Sequence, residues 1–173
     1  MAIRSFTVAG FTTEAVADTS NMANNKYMGL KGASSTQVTK LKSVYVAGLE
    51  ASTSSPQKLL FAYDSTVVVT PTALTTGESD IADHPATAAL AAPVVSFTAQ
   101  SGTAPQRAKA YITTMGFNAI GGLSYVRFPF GEEPCMVGNA AYSAGTGGGE
   151  VSLSGFTGTT AGAISAHIKY ETL

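Results

Sequence analysis

The sequence predicts an all-β fold, an antiparallel β-sandwich or jelly roll of about eight strands, and three observations predict it. Apolar and polar residues alternate with a period of two in segment after segment, which suits half-buried strands and no helix. Gly, Ser, Pro and Asn punctuate these segments at regular intervals, the spacing of a two-sheet β fold rather than of βαβ units. The 173 residues also suit one domain, since a chain of this length buries roughly 70% of its unfolded surface. A single domain over residues 1–173 is therefore expected, with residues 71–107 as a long Ala/Thr/Pro-rich inserted loop or arm.

Residues 108–133 (AKAYITTMGFNAIGGLSYVRFPFGEE) are the strongest strand signal. Tyr111, Thr113, Met115 and Phe117 fall on one face of the first half, and Ile112, Thr114, Gly116 and Asn118 on the other. Gly121-Gly122 predicts a hairpin turn. In the second half Val126, Phe128 and Phe130 oppose Leu123, Tyr125 and Arg127. Large side chains on both faces predict a central hairpin, one face in the core and the other against something else.

The other elements follow in order. Residues 2–11 alternate weakly as a first strand, and residues 12–25, rich in Thr, Asp, Ser and Asn, form a connection. Residues 26–31 are a short strand with Met28 and Leu30 on one side, and residues 32–36 a turn. In residues 38–50, Leu41, Tyr45 and Leu49 oppose Val44 and Val46. Residues 52–56 close a hairpin to residues 57–63, where Leu59, Phe61 and Tyr63 alternate against Lys58, Leu60 and Ala62. Val67, Val68 and Val69 form a β-branched run ended by Pro71.

Residues 71–107 differ in kind, holding Pro71, Pro85, Pro93 and Pro105 and a single aromatic, Phe97. One or two helical turns are expected at residues 85–92. The remainder is expected to lie across the body or a neighbouring subunit, anchored by Val94 and Phe97. Residues 135–137 are a short strand, residues 138–149 a glycine-rich loop, and residues 151–154 another strand. After a turn at 156–162, residues 163–173 place Ile164, Ile168 and Tyr170 opposite His167, Lys169 and Glu171.

Charged residues are 12% of the chain, about half the ordinary level. A surface so poor in charge favours association, so much of the outside is expected to be covered by copies of the chain or by a larger lattice. The net charge is −1 and the ten basic residues are scattered from Arg4 to Lys169, which argues against direct nucleic-acid binding. No apolar run reaches signal-peptide or membrane-span length, so the expected product is made in the cytoplasm and enters no membrane. Cys135, the single cysteine, reads as a small buried hydrophobe with no intrachain partner.

The chemistry-bearing residues are few: His84, His167, Cys135 and eleven dispersed carboxylates. That set is too thin for a strand-borne metal site of the cupin kind, and no metal or cofactor is expected. Asp83, His84 and His167 permit a Ser-His-Asp arrangement only formally. Residues 145–149 lack the Lys-Ser/Thr of a phosphate loop and read as a mobile tip. Glu132 and Glu133, adjacent on an extended chain, point to opposite faces and cannot line one pocket. A solvated or neighbour-bridging role is expected for them, no catalytic residue is assigned, and no enzyme is expected.

Residues 51–56 (ASTSSP), 60–67 (LFAYDSTV), 83–93 (DHPATAALAAP), 125–133 (YVRFPFGEE) and 150–171 (EVSLSGFTGTTAGAISAHIKYE) together resemble small structural proteins encoded with tailed-bacteriophage head genes. The resemblance covers most of the chain. It departs where family members often carry Trp and this chain has Phe128. The resemblance implies a jelly-roll decoration, or cement, protein on the outside of an icosahedral capsid, made in the host cytoplasm and commonly a trimer. Its partners would be the major capsid protein and further copies of itself, with Phe6, Val94, Phe97, Tyr125 and Arg127 as candidate interface residues. Two alternatives stand beside it. A receptor- or carbohydrate-binding jelly roll of a tail or fibre would cluster exposed aromatics near loop tips, for which Tyr142 is the sequence candidate. A small single-jelly-roll capsid subunit would carry a basic terminal arm, and neither terminus is basic.

Overall fold

The computed structural model describes residues 4–11, 26–31, 35–36, 38–49, 56–64, 79–81, 94–95, 107–138, 140, 148–155 and 164–172. These residues hold eleven strands: β1 (Arg4–Phe11), β2 (Lys26–Lys31), β3 (Val38–Leu49), β4 (Pro56–Asp64), β5 (Ser79–Ile81), β6 (Val94–Val95), β7 (Arg107–Asn118), β8 (Ile120–Arg127), β9 (Cys135–Val137), β10 (Glu150–Gly155) and β11 (Ile164–Thr172). They form two antiparallel sheets and an all-β sandwich. One sheet runs β5-β1-β11-β3-β8, with β9 also on β3, and the other runs β6-β2-β10-β4-β7. Apart from the short β5, β6 and β9, the pairing is nested: β1 with β11, β2 with β10, β3 with β8, and β4 with β7. Successive pairs alternate between the sheets.

The core lies between the two inner faces. β11 turns Ile164, Ala166, Ile168 and Tyr170 inward, all fully buried, where they meet Leu41, Val44 and Val46 of β3 and, from the other sheet, Leu59, Phe61, Met115, Val151 and Leu153. Each buried Val, Leu, Ile, Phe or Met side chain among them contributes about 1.5–3 kcal/mol relative to exposure. The predicted facing of β11 is therefore observed, with His167 exposed. On β4, Leu60 and Ala62 are buried along with Leu59 and Phe61, so the expected alternation between a buried and an open face is absent there.

Several expectations are corrected. Residues 107–127 do form two long strands, but β7 and β8 are not a central hairpin. They are the edge strands of different sheets, so the chain crosses from one sheet to the other at Asn118–Ile120. The turn comes before the two glycines, held by the Asn118 side-chain oxygen, which accepts from the Ile120 N–H at 2.9 Å. It packs tightly: a Cβ on Gly122 would stand 2.1 Å from Asn118 N, and one on Gly48 of β3 2.3 Å from the Ala119 carbonyl oxygen. β3 and β4 likewise lie in different sheets and do not form the expected hairpin.

Two register shifts overturn face assignments. Against β11, β3 leaves Lys42 unpaired between Ser43 and Leu41, and this bulge turns Leu41 to the same inner face as Val44 and Val46. Against β4, β7 skips Ile112 between Thr113 and Tyr111. Ile112 packs on the core while Tyr111 is exposed, although it was expected beside Met115 and Phe117. Phe130, expected on the face of Val126 and Phe128, is 91% exposed.

Within residues 71–107, Ser79–Ile81 adds a strand to the edge of β1 and Val94–Val95 one to the edge of β2, where the sequence showed only an arm. The predicted helix at 85–92 and the run at 67–69 lie outside the described residues. At the end of the glycine-rich loop, Gly148 and Gly149 are buried and hydrogen-bonded to Val137 and Ala140. That part is no mobile tip.

Candidate functional site

On the outer face of the first sheet, the pairing of β11, β3 and β8 lays residues in cross-strand rows. Lys169, Ser43 and Arg127 form one row, His167, Tyr45 and Tyr125 the next, and Ser165, Ala47 and Leu123 the third. Adjacent strands stand about 4.8 Å apart, so Arg127 and Lys169 flank the small Ser43 with their backbones roughly 10 Å apart. In the second row Tyr45 and His167 meet edge to face at 5.3 Å between ring centroids. Tyr125 stands 55% exposed beside them.

The loop after β8 closes one end. Glu132 N–H donates to the Pro129 carbonyl at 3.0 Å, making a four-residue turn whose third position, Gly131, has φ 88°, as a type II turn requires. The turn lifts Phe130 into solvent. Below it, the β3 bulge leaves Lys42 out of the pairing with β11 while its carbonyl accepts from the Phe128 N–H at 2.9 Å, and its ammonium reaches Glu133 Oε1 at 2.7 Å and Glu171 Oε2 at 3.4 Å. The Gly131 N–H donates to Glu133 Oε2 at 2.7 Å. The Lys42 Nζ also lies 5.9 Å from the centre of the Phe130 ring, at the outer limit of a useful cation–π contact.

The side chain of Glu133 is 2% exposed. Burial alone would raise its pKa, but the hydrogen bond from Lys42 outweighs that, and the backbone N–H groups of Glu133 and Gly131 assist, so the carboxyl is held at about 2. The Lys42 ammonium is pushed up, chiefly by the bond to Glu133. Glu132 is exposed, so the two adjacent carboxylates do diverge. The partner of Glu133, however, is a lysine of its own chain. Lys42 and Glu171 also line a groove of about 740 Å³, together with Ser43, Tyr125, Arg127, Lys169 and the Phe128–Phe130 turn.

The predicted interface residues are dispersed. Tyr125 and Arg127 share this groove, two residues apart on one face of β8. Phe6 lies in β1, paired with Tyr170 and Ile81, and Val94 in β6, paired with Leu30. Their side chains, with all of Phe97, His84 and Tyr142, lie outside the described residues. Cys135 is half-buried rather than buried, and its thiol donates to the Glu133 carbonyl at 3.4 Å.

Sequence reasoning missed Lys42, Ser43, Lys169, Glu171 and Phe130. The Pro-Phe-Gly-Glu turn was the signal available for Phe130, whereas the bulge that frees Lys42 leaves no mark in the pattern. A second exposed patch lies at the other end of β8, where Leu49 pairs with Ile120 and Ala47 with Leu123. Leu49, Ile120 and Leu123 are 40%, 45% and 58% exposed. Among the described residues no three His, Cys, Asp or Glu side chains converge as a metal site, and no helix is long and apolar enough to cross a membrane. Compared with known proteins, the chain matches no family model, no curated protein and no solved structure.

Proposed function

We propose that this chain is a virion structural protein, a decoration protein that attaches to the outside of an icosahedral phage head and braces it by bridging capsid subunits. The nested pairing, with β1-β11-β3-β8 in one sheet and β2-β10-β4-β7 in the other, supports reading the sandwich as a jelly roll, a frame common among viral shell proteins and lectins. The observation that carries the reading is the exposed apolar patch of Leu49, Ile120 and Leu123 where β3 meets β8, in a chain with little charge to keep it apart from other surfaces. Many copies, each making a modest contact, would brace a lattice through simultaneous engagement without catalysis. The resemblance to phage head-associated proteins supplies the partner, the major capsid protein, and the expected trimeric state.

The test is reconstitution. Heads lacking the protein, mixed with the purified chain, should bind it at a fixed copy number and then hold their DNA to a higher temperature and a stronger osmotic shock. Bare and reconstituted heads of equal robustness would reject the bracing role.

A further inference from the structure

We propose that the groove beside β8 is a binding site for an acidic saccharide, with a sugar carboxylate held over Ser43 between Arg127 and Lys169 and the sugar ring faces laid against Tyr125 and Phe130. The inference goes beyond lattice attachment and does not rest on it, because attachment is read at Leu49, Ile120 and Leu123, whereas the anion would be held by Arg127 and Lys169, two rows further along the sheet.

The charge distribution points to an anion. Three cations line the groove, but Lys42 is already shared between Glu133 and Glu171. Among the described residues Arg127 and Lys169 make no ion pair, although register places them on either side of one serine. A guanidinium offers a planar fork to a carboxylate, an ammonium offers a point charge, and the serine hydroxyl between them adds a short donor. The aromatic residues point to a sugar. Tyr125 and the 91% exposed Phe130 offer flat apolar faces at two edges of a polar groove, which suits a ligand with an apolar ring face and a charged rim. Nucleic acid fits less well, since the cations of one groove in a chain of net charge −1 give little of the phosphate-tracking field such binding needs.

The test is titration of the intact 173-residue chain with a trimer of galacturonic acid and with the neutral galactose trimer, following backbone amide resonances. The acidic trimer should shift Ser43, Tyr125, Arg127 and Lys169, and the neutral one should bind at least about fivefold more weakly, as expected from losing exposed charge contacts. Arg127→Gln and Lys169→Gln should each weaken binding about two- to fivefold, and Tyr125→Ala should weaken both trimers. Lys58→Gln, on an exposed position of the other sheet, should change nothing. No shift of the groove amides at millimolar acidic trimer would overturn the proposal. So would equal binding of the two sugars, or equal displacement by a thymidine oligonucleotide of the same charge.

Discussion

At the residue scale the most informative contact is Lys42 with Glu133. A carboxylate this covered would ordinarily resist ionisation, and one ammonium at 2.7 Å with backbone N–H donors reverses the preference. Because the folded pKa of Glu133 is depressed from 4.5 to about 2, its contribution to stability is present above pH 4.5 and is lost as pH falls toward 2. The pKa of Lys42 is raised from 10.5, so its contribution is present below pH 10.5 and is lost as pH rises through the higher folded value. The latch is thus closed across the neutral range. Carbon-13 titration of the Glu133 carboxyl should give a midpoint near 2, and Lys42→Met should move it upward. The same variant should be clearly less stable than the parent at pH 7 and lose that difference as pH falls through 2, where Glu133 becomes protonated in the parent as well. A Glu133 midpoint at the ordinary 4.5 would show that the pair does not form.

At the scale of elements, bulges and turns set the site, and these are the features least visible in a sequence. Period-two alternation marked the longer strands among the described residues, because most of them turn one face to a core, and it read β11 face by face. It failed at Leu41 and Tyr111, because one unpaired residue inverts every face beyond it and nothing in the residues around Lys42 or Ile112 announces the insertion, and at Phe130, because β8 ends at Arg127 and a turn takes over. Sheet membership was also hidden, since β7 and β8 read as a hairpin until partners distant in sequence separate them. For the same reason Tyr125 and Arg127 were legible as exposed neighbours on one strand, while Lys169 and Glu171 enter the groove only through pairing across β3. Two variants test this layer. Gly131→Ala, forced to φ 88°, should cost about 1 kcal/mol and broaden the Phe130 resonances, measurable by thermal unfolding and proton spectra. Leu123→Asp, at a position already 58% exposed, should change stability by less than about 0.5 kcal/mol yet abolish attachment to heads. Retained attachment would move the lattice contact away from this end of β8.

At the scale of the molecule, two sheets enclose one core, and among the described residues no strand pairs with the outer edge of β7 or of β8. Phe61→Ala, in the middle of that core, should cost about 3–5 kcal/mol in denaturant unfolding. Edges of this kind, with exposed Leu, Ile and Tyr side chains on a weakly charged chain, favour association, and sedimentation should find a trimer or another closed ring rather than a monomer at micromolar concentration. The central claim is that the molecule serves by position on a shell. Electron cryomicroscopy of phage particles mixed with the purified chain tests it most directly. The account predicts two-sheet density at symmetry-related sites on the outer surface of the head, each copy touching more than one capsid subunit through the Leu49, Ile120 and Leu123 end. Density confined to the tail or fibres, or a shell built from this chain alone, would contradict it.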